Sequence, residues 1–166
     1  MKCTREHIAE MAHEMSAGDF IFALTDGFLE YVGGGLTAEN MGMLNTWQHT
    51  LLAYRYMLEE VMEGGFIQLI QNGYAGYVLE GPFPLVLKKE WGMKDLAKLI
   101  YDVKREYHRH ADEFDDEMSD ADFMAMYEKL DVLNEYGDAF LDDFQENSTP
   151  KIRDFVVENA ANFELG

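Results

Sequence analysis

Apolar residues recur every three or four positions along most of this 166-residue chain, and that spacing predicts α-helices. No stretch alternates apolar and polar side chains over enough residues to indicate a sheet, although residues 85–87 leave a brief strand open as an alternative to a helical turn. Glycines divide the pattern, most sharply at Gly64-Gly65, where we expect a helix break. No linker or repeat interrupts the sequence, so we expect an all-α protein with a single compact multi-helix domain over residues 1–166.

Start and stop signals place the individual helices. Ser119 is a suitable N-cap for a helix whose buried stripe is Phe123, Met126, Leu130 and Leu133. Ser148 and Thr149 are expected to start the closing helix, with Pro150 in its first turn. The other predicted helices cover residues 4–15, 19–32 and 45–62, and a long helix begins at residue 93.

Negative charge is concentrated in one part of the chain. The net charge is −19, and residues 111–146 alone hold 14 Asp or Glu residues and one base, Lys129, for a net charge of −13. Ordinary exposed helices mix both signs, because opposite charges at i,i+4 stabilise them. We interpret residues 111–146, the acidic segment, as a surface that attracts basic proteins and repels nucleic acid and anionic membranes. The alternative is a solvated face that serves only solubility, with some acids placed by helix dipoles.

The linear charge density of the acidic segment is close to that of a DNA strand. If its 36 residues were fully helical, they would span ~54 Å, or about one net negative charge per 4 Å. One DNA strand carries a phosphate every ~3.4 Å along its axis. The two linear densities are comparable, and we therefore predict a functional acidic surface that binds a basic protein partner. The candidate residues are Asp112, Glu113, Asp115, Asp116, Glu117, Asp120, Asp122, Asp131, Glu135, Asp138, Asp142, Asp143 and Glu146.

Motifs that carry catalysis or metal binding are incomplete. An EF-hand loop needs a central glycine, which the first part of the acidic segment lacks. Gly33-Gly34-Gly35 has no following Lys-Ser/Thr, and Glu10 and His13 form a single Glu-x-x-His where a di-metal bundle needs two. Cys3 is the sole cysteine, expected at a frayed terminus and without a disulfide. We predict no catalytic residue, metal or cofactor, and thus no enzyme.

The N-terminal residues have no apolar stretch behind them, so we expect no signal peptide. No apolar run approaches the ~20 residues that span a bilayer. The sequence therefore predicts a cytoplasmic protein that does not contact membranes.

Residues 60–73 resemble the signature of the DNA-mimic protein nineteen family, an all-helical bacterial group. That signature reads Glu-Val-x-Asn-Gly-Gly-Phe-x-Gln, then two aromatic residues, x, Asn, two further positions and Gly. The matching residues here are Glu60, Val61, Gly64, Gly65, Phe66, Gln68 and Asn72. The chain departs from the pattern at Glu63, at Leu69-Ile70 and at Gly73, as a divergent member would, and the similarity extends over about residues 40–163.

The resemblance implies a protein whose carboxylates imitate duplex phosphates and compete for a DNA-binding protein, such as a helix-turn-helix regulator. It also implies a homodimer. From the residues themselves, the two glycines permit a sharp turn, Phe66 enters the core, and Gln68 and Asn72, if buried, satisfy backbone groups freed at the break. Two alternatives stay open: a generic acidic helical interaction module, and a small-ligand or metal-binding enzyme built around Gln68, Asn72 and Glu63.

Overall fold

The computed structural model describes residues 3–115 and 117–166, and these residues contain helices and no strand. The all-α prediction is confirmed, and residues 85–87 lie in a helix. The helices are α1 (Arg5–Glu14), α2 (Ala17–Val32), α3 (Thr46–Gln71), α4 (Ala75–Val78), α5 (Phe83–Lys89), α6 (Lys94–His110), α7 (Asp120–Lys129), α8 (Asp131–Ala139) and α9 (Gln145–Glu158). Single 3₁₀ turns occupy Met41–Met43, Ala111–Glu113 and Ala160–Asn162, and a π-helical turn at Phe140–Phe144 joins α8 to α9.

The chain forms two compact units. The terminal unit comprises the residues up to Arg55 together with Asn147–Gly166, and the central unit comprises Tyr56–Glu146. The single domain over residues 1–166 stays a prediction. Within the described residues, no helix is both long enough and apolar enough to cross a membrane.

In the terminal unit, side-chain caps start the first two helices, and α2 begins at Ala17, two residues before its predicted start, because Ser16 caps it. Thr4 accepts a hydrogen bond from the His7 amide, and Ser16 accepts one from the Asp19 amide, both at 3.2 Å. Gly33 then ends α2 in a left-handed conformation with φ of 105°. The predicted frayed terminus at Cys3 is wrong: Cys3 is fully buried, and its carbonyl accepts a hydrogen bond from the Leu165 amide at 3.0 Å, which holds the backbone in place. Burial and the Glu164 carboxylate raise the pKa of its thiol to about 11.

The predicted helix start at Ser148-Thr149 is also wrong. The chain is already helical before them, and Pro150 lies inside α9. Thr149 does not cap a helix: its hydroxyl bonds at 2.8 Å to the hydroxyl of Tyr54, whose pKa burial raises to about 12. Pro150 removes one helical hydrogen bond, and packing of the buried residues beside it outweighs that loss.

In the central unit, the long helix predicted from residue 93 is confirmed as α6. It packs on α5 and buries one stripe, formed by Leu96, Leu99, Ile100 and Val103. The predicted continuous stripe from Phe123 to Leu133 is divided between two helices, because Leu130 has non-helical backbone angles of −112° and 52°. The Asn134 side chain donates to the Tyr127 carbonyl at 2.7 Å. That carbonyl lies in the last turn of α7, where carbonyls lack a partner within the helix.

The predicted break at Gly64-Gly65 is confirmed, and Phe66 beyond it is fully buried. Gly65 has φ of 75° and ψ of −174°, a combination that residues with a Cβ essentially never adopt. Helix α8 approaches this point at the buried Gly137: a Cβ placed there would lie 3.7 Å from the Gly65 Cα and from a Val61 methyl. The break thus forms the packing site for the helix that carries the second half of the acidic segment.

We predict that Gly65→Ala lowers the free energy of unfolding by about 1–3 kcal/mol, since alanine is strained in this backbone region. Gly76→Ala is the matched control, because Gly76 lies in α4, has no positive φ and has open space around its Cα. Urea unfolding of both variants measures the difference. Equal stability of Gly65→Ala and the control would contradict the structural requirement for glycine.

Candidate functional site

The signature residues form a polar cluster across the helix break. The Gln68 side-chain amide donates to Glu60 Oε2 at 2.7 Å, and the Asn72 amide donates to the same oxygen at 3.0 Å. Gly64 makes the first contact possible, because a Cβ at Gly64 would lie 2.0 Å from the Gln68 side-chain oxygen. Glu60 on one side of the break therefore holds two amides on the other side.

Burial, the condition for Gln68 and Asn72 to satisfy freed backbone groups, is not met. Gln68 is half-buried, Asn72 is exposed, and both side chains bond to the Glu60 carboxylate, which is a stronger acceptor than a carbonyl. The carbonyl of Gly64 instead accepts a hydrogen bond from the Tyr127 hydroxyl at 2.6 Å. Partial burial raises the pKa of Tyr127, so its hydroxyl keeps the proton that it donates.

The start of the acidic segment is held by local hydrogen bonds. The Gln71 side chain donates to the Asp115 carbonyl at 2.8 Å, which ties the segment to the end of α3. The Asp115 carboxylate accepts from the Glu117 amide at 3.0 Å, as in a typical Asx turn. Asp112, Asp115 and Glu117 are exposed, and Asp116 lies outside the described residues.

Lys129, the one base of the acidic segment, is paired inside it. Its ammonium group contacts the Glu113 carboxylate, which also bonds to His110 Nδ1 at 2.5 Å. The contacts with Lys129 and His110 lower the pKa of Glu113. Among residues 3–115 and 117–166, no other carboxylate of the acidic segment lies within 4.0 Å of a basic side chain.

The first two acids of α7 have a local structural role. Ser119 caps the helix by accepting a hydrogen bond from the Asp122 amide at 3.1 Å, which confirms its predicted role. Asp120 and Asp122 occupy the first turn, where the positive end of the helix dipole stabilises carboxylates. Both side chains are exposed, so this role leaves them accessible to a partner.

Acids of α8, of the π-helical turn and of the start of α9 form an exposed row. Its members are Asp131, Glu135, Asp138, Asp142 and Glu146, with Asp143 beside them. Successive members are three or four residues apart and so lie on one helix face, and the opposite stripe is buried through Leu133, Gly137 and Phe140. At ~1.5 Å per residue the row is roughly 22 Å long, with about one carboxylate per 4 Å.

The structure therefore places the described site residues in three consecutive pieces: the stretch before α7, α7 itself and the row that runs from α8 to the start of α9. Every described member except Glu113 is exposed. No group of three or more His, Cys, Asp or Glu side chains in the described ranges is arranged to hold a metal ion. That the three pieces act as one binding surface stays a prediction.

The sequence analysis assigned no role to Glu60, Tyr127 or Asn134. Glu60 could have been found, since it belongs to the signature and lies eight residues before Gln68. Residue spacing could not predict the other two contacts. Tyr127 bonds to Gly64, which is distant in the sequence, and Asn134 bonds to Tyr127 across the non-helical residue Leu130.

We predict that Glu60→Ala destabilises the chain by about 1–3 kcal/mol, because both amides lose their charged acceptor. Glu63→Ala is the control, since Glu63 is an exposed acid in the same helix. Denaturant unfolding compares the two variants, and a loss in Glu63→Ala as large as that in Glu60→Ala would refute a specific role for Glu60.

The chain is similar in sequence to known proteins over most of its length. The model of the family described as DMP19-like protein matches residues 42–159, which include the Glu60 cluster and the whole acidic segment. The DNA mimic protein DMP19 of Neisseria meningitidis serogroup B is 25% identical over 158 residues, covering 94% of this chain and 93% of that protein. The predicted resemblance, including its divergence, is confirmed. The chain belongs to the DMP19-like protein family.

Proposed function

We propose that this chain is a DNA mimic that binds the basic DNA-binding surface of a partner protein and competes with DNA. The observation that carries the proposal is the exposed row of carboxylates from α8 through the π-helical turn to the start of α9, in which no base is interspersed. Membership of the DMP19-like family and the name of the Neisseria relative support it. The resemblance implies a homodimer that withholds a helix-turn-helix regulator from its operator, and the sequence predicts that it does so in the cytoplasm.

The density and chemistry of the row suit a surface that normally binds phosphates. DNA-binding proteins position themselves on duplexes by Arg and Lys contacts with phosphate oxygens. Carboxylates accept the same charge-assisted hydrogen bonds, including the bidentate contact with arginine. The buried stripe of α8 packs at the Gly64-Gly65 break, so the row is fixed before binding and little conformational entropy is lost on association.

Solubility alone does not explain the distribution of charge. A net charge of magnitude roughly 2–8 suffices to keep a small domain soluble. Residues 56–110 of the central unit hold eight acidic and seven basic residues and are nearly balanced, whereas the next 36 residues have a net charge of −13. The excess therefore belongs to one segment.

The test measures binding to a panel of purified helix-turn-helix DNA-binding domains at about 50 mM and about 200 mM salt. We predict that Glu135→Gln, Asp138→Asn, Asp142→Asn and Glu146→Gln combined weaken binding by about 1–4 kcal/mol at the lower salt concentration. The loss shrinks at the higher concentration because salt screens the remaining charges. Circular dichroism should show unchanged helix content, because the four side chains are exposed.

The matched control neutralises four exposed acids of the terminal unit, namely Glu6, Glu10, Glu14 and Glu39. It changes the net charge by the same amount without altering the row, and we expect a smaller loss of affinity. Equal losses of affinity from both sets would show that the acidic segment contributes only through the net charge of the protein. Affinity that no variant changes and salt does not weaken would instead favour a generic interaction module.

A further inference from the structure

Helix α7 is unusually accessible for a helix of a folded unit. Of its ten residues, all of which the structure describes, Met126 is the only one classed as buried. Met124 is 63% exposed, and Ala121 and Ala125 beside it are exposed too. An apolar helix face therefore lies on the surface in the middle of the acidic segment.

Carboxylates bracket this apolar face. Asp120 and Glu128 lie four residues before and after Met124, so all three side chains belong to one row on the helix. Both acids are exposed, and neither has a basic side chain within 4.0 Å among the residues that the structure describes. The arrangement is an apolar centre with a negative rim, which resembles the anatomy of protein-binding hot spots.

We propose that Met124 is the apolar anchor of the docking surface and that its occupant is the base-reading face of a DNA-binding protein. This inference rests on the proposed function. Charge complementarity selects the occupant, because a negative rim attracts a positive surface and repels nucleic acid. On such proteins, the side chains that read base edges lie between the phosphate contacts, and apolar ones among them touch thymine methyl groups. Met124 offers those side chains an apolar contact while the neighbouring acids take the phosphate contacts.

Two kinds of contact then contribute to binding in different ways. Carboxylates supply an attraction that salt screens and that any polycation can satisfy. Burial of a flexible methionine supplies an attraction that depends little on salt and needs a complementary apolar surface. The contribution of Met124 can therefore be recognised by its small dependence on salt concentration.

The experiment compares Met124→Gln with wild type, because glutamine has similar length and helix propensity. One probe is the helix-turn-helix domain that binds wild type most tightly in the panel above, and the second is poly-L-lysine. We expect Met124→Gln to weaken binding to the domain about tenfold, by a similar factor at both salt concentrations. Binding to poly-L-lysine should not change. Met43→Gln, at a methionine that is 48% exposed in the terminal unit, is the control and should leave both affinities unchanged.

Unchanged affinity of Met124→Gln for the domain, with the row variant still weakened, would overturn this inference and leave the proposed function standing. An equal loss for poly-L-lysine would also overturn it, since the effect would not need an apolar partner. Sedimentation of both proteins tests a second copy as the occupant, and loss of self-association with unchanged domain binding would assign the face to that copy instead. If no domain of the panel binds wild type, both proposals fail.

Discussion

The backbone of Gly65 is the constraint on which the arrangement of the central unit depends. Its φ of 75° with ψ of −174° turns the chain within one peptide, after which a buried Phe66 begins a new helical direction. Gly137 of α8 packs beside this turn, and the Tyr127 hydroxyl of α7 donates a hydrogen bond to the Gly64 carbonyl. The two helices that carry most of the acidic segment are therefore both fixed at the glycine break.

Hydrogen bonds of the signature residues connect the glycine break to the acidic segment. The Glu60 carboxylate holds Gln68 and Asn72 across the break, and Gln71 from the same turn of helix holds the Asp115 carbonyl. A surface of like charges repels itself, so packing and hydrogen bonds elsewhere must offset that repulsion. The signature residues supply such contacts at the base of the acidic helices.

Much of the fold could be predicted from the sequence because its signals are local. Helical spacing, the cap at Ser119 and the glycine break depend on residues a few positions apart. The predictions for Thr149 and Cys3 were wrong because residues far away in the sequence determine their structure. Thr149 bonds to Tyr54 and does not cap a helix, and the Cys3 carbonyl bonds to the Leu165 amide. The exposure of the acidic side chains could be predicted from their charge. The polar cluster at Glu60 could not, because it depends on a turn that brings Gln68 and Asn72, eight and twelve residues later, to one carboxylate oxygen.

Competition with DNA for one site is the central claim, and a titration at fixed salt tests it most directly. The affinity of a bound helix-turn-helix domain for this chain is measured at increasing concentrations of the operator duplex of that domain. If the two compete, the apparent Kd rises in proportion to the duplex concentration without reaching a plateau, because each domain holds either the duplex or this chain. A plateau, with a complex of all three components, would show that the acidic segment binds away from the DNA-binding surface and would contradict the account.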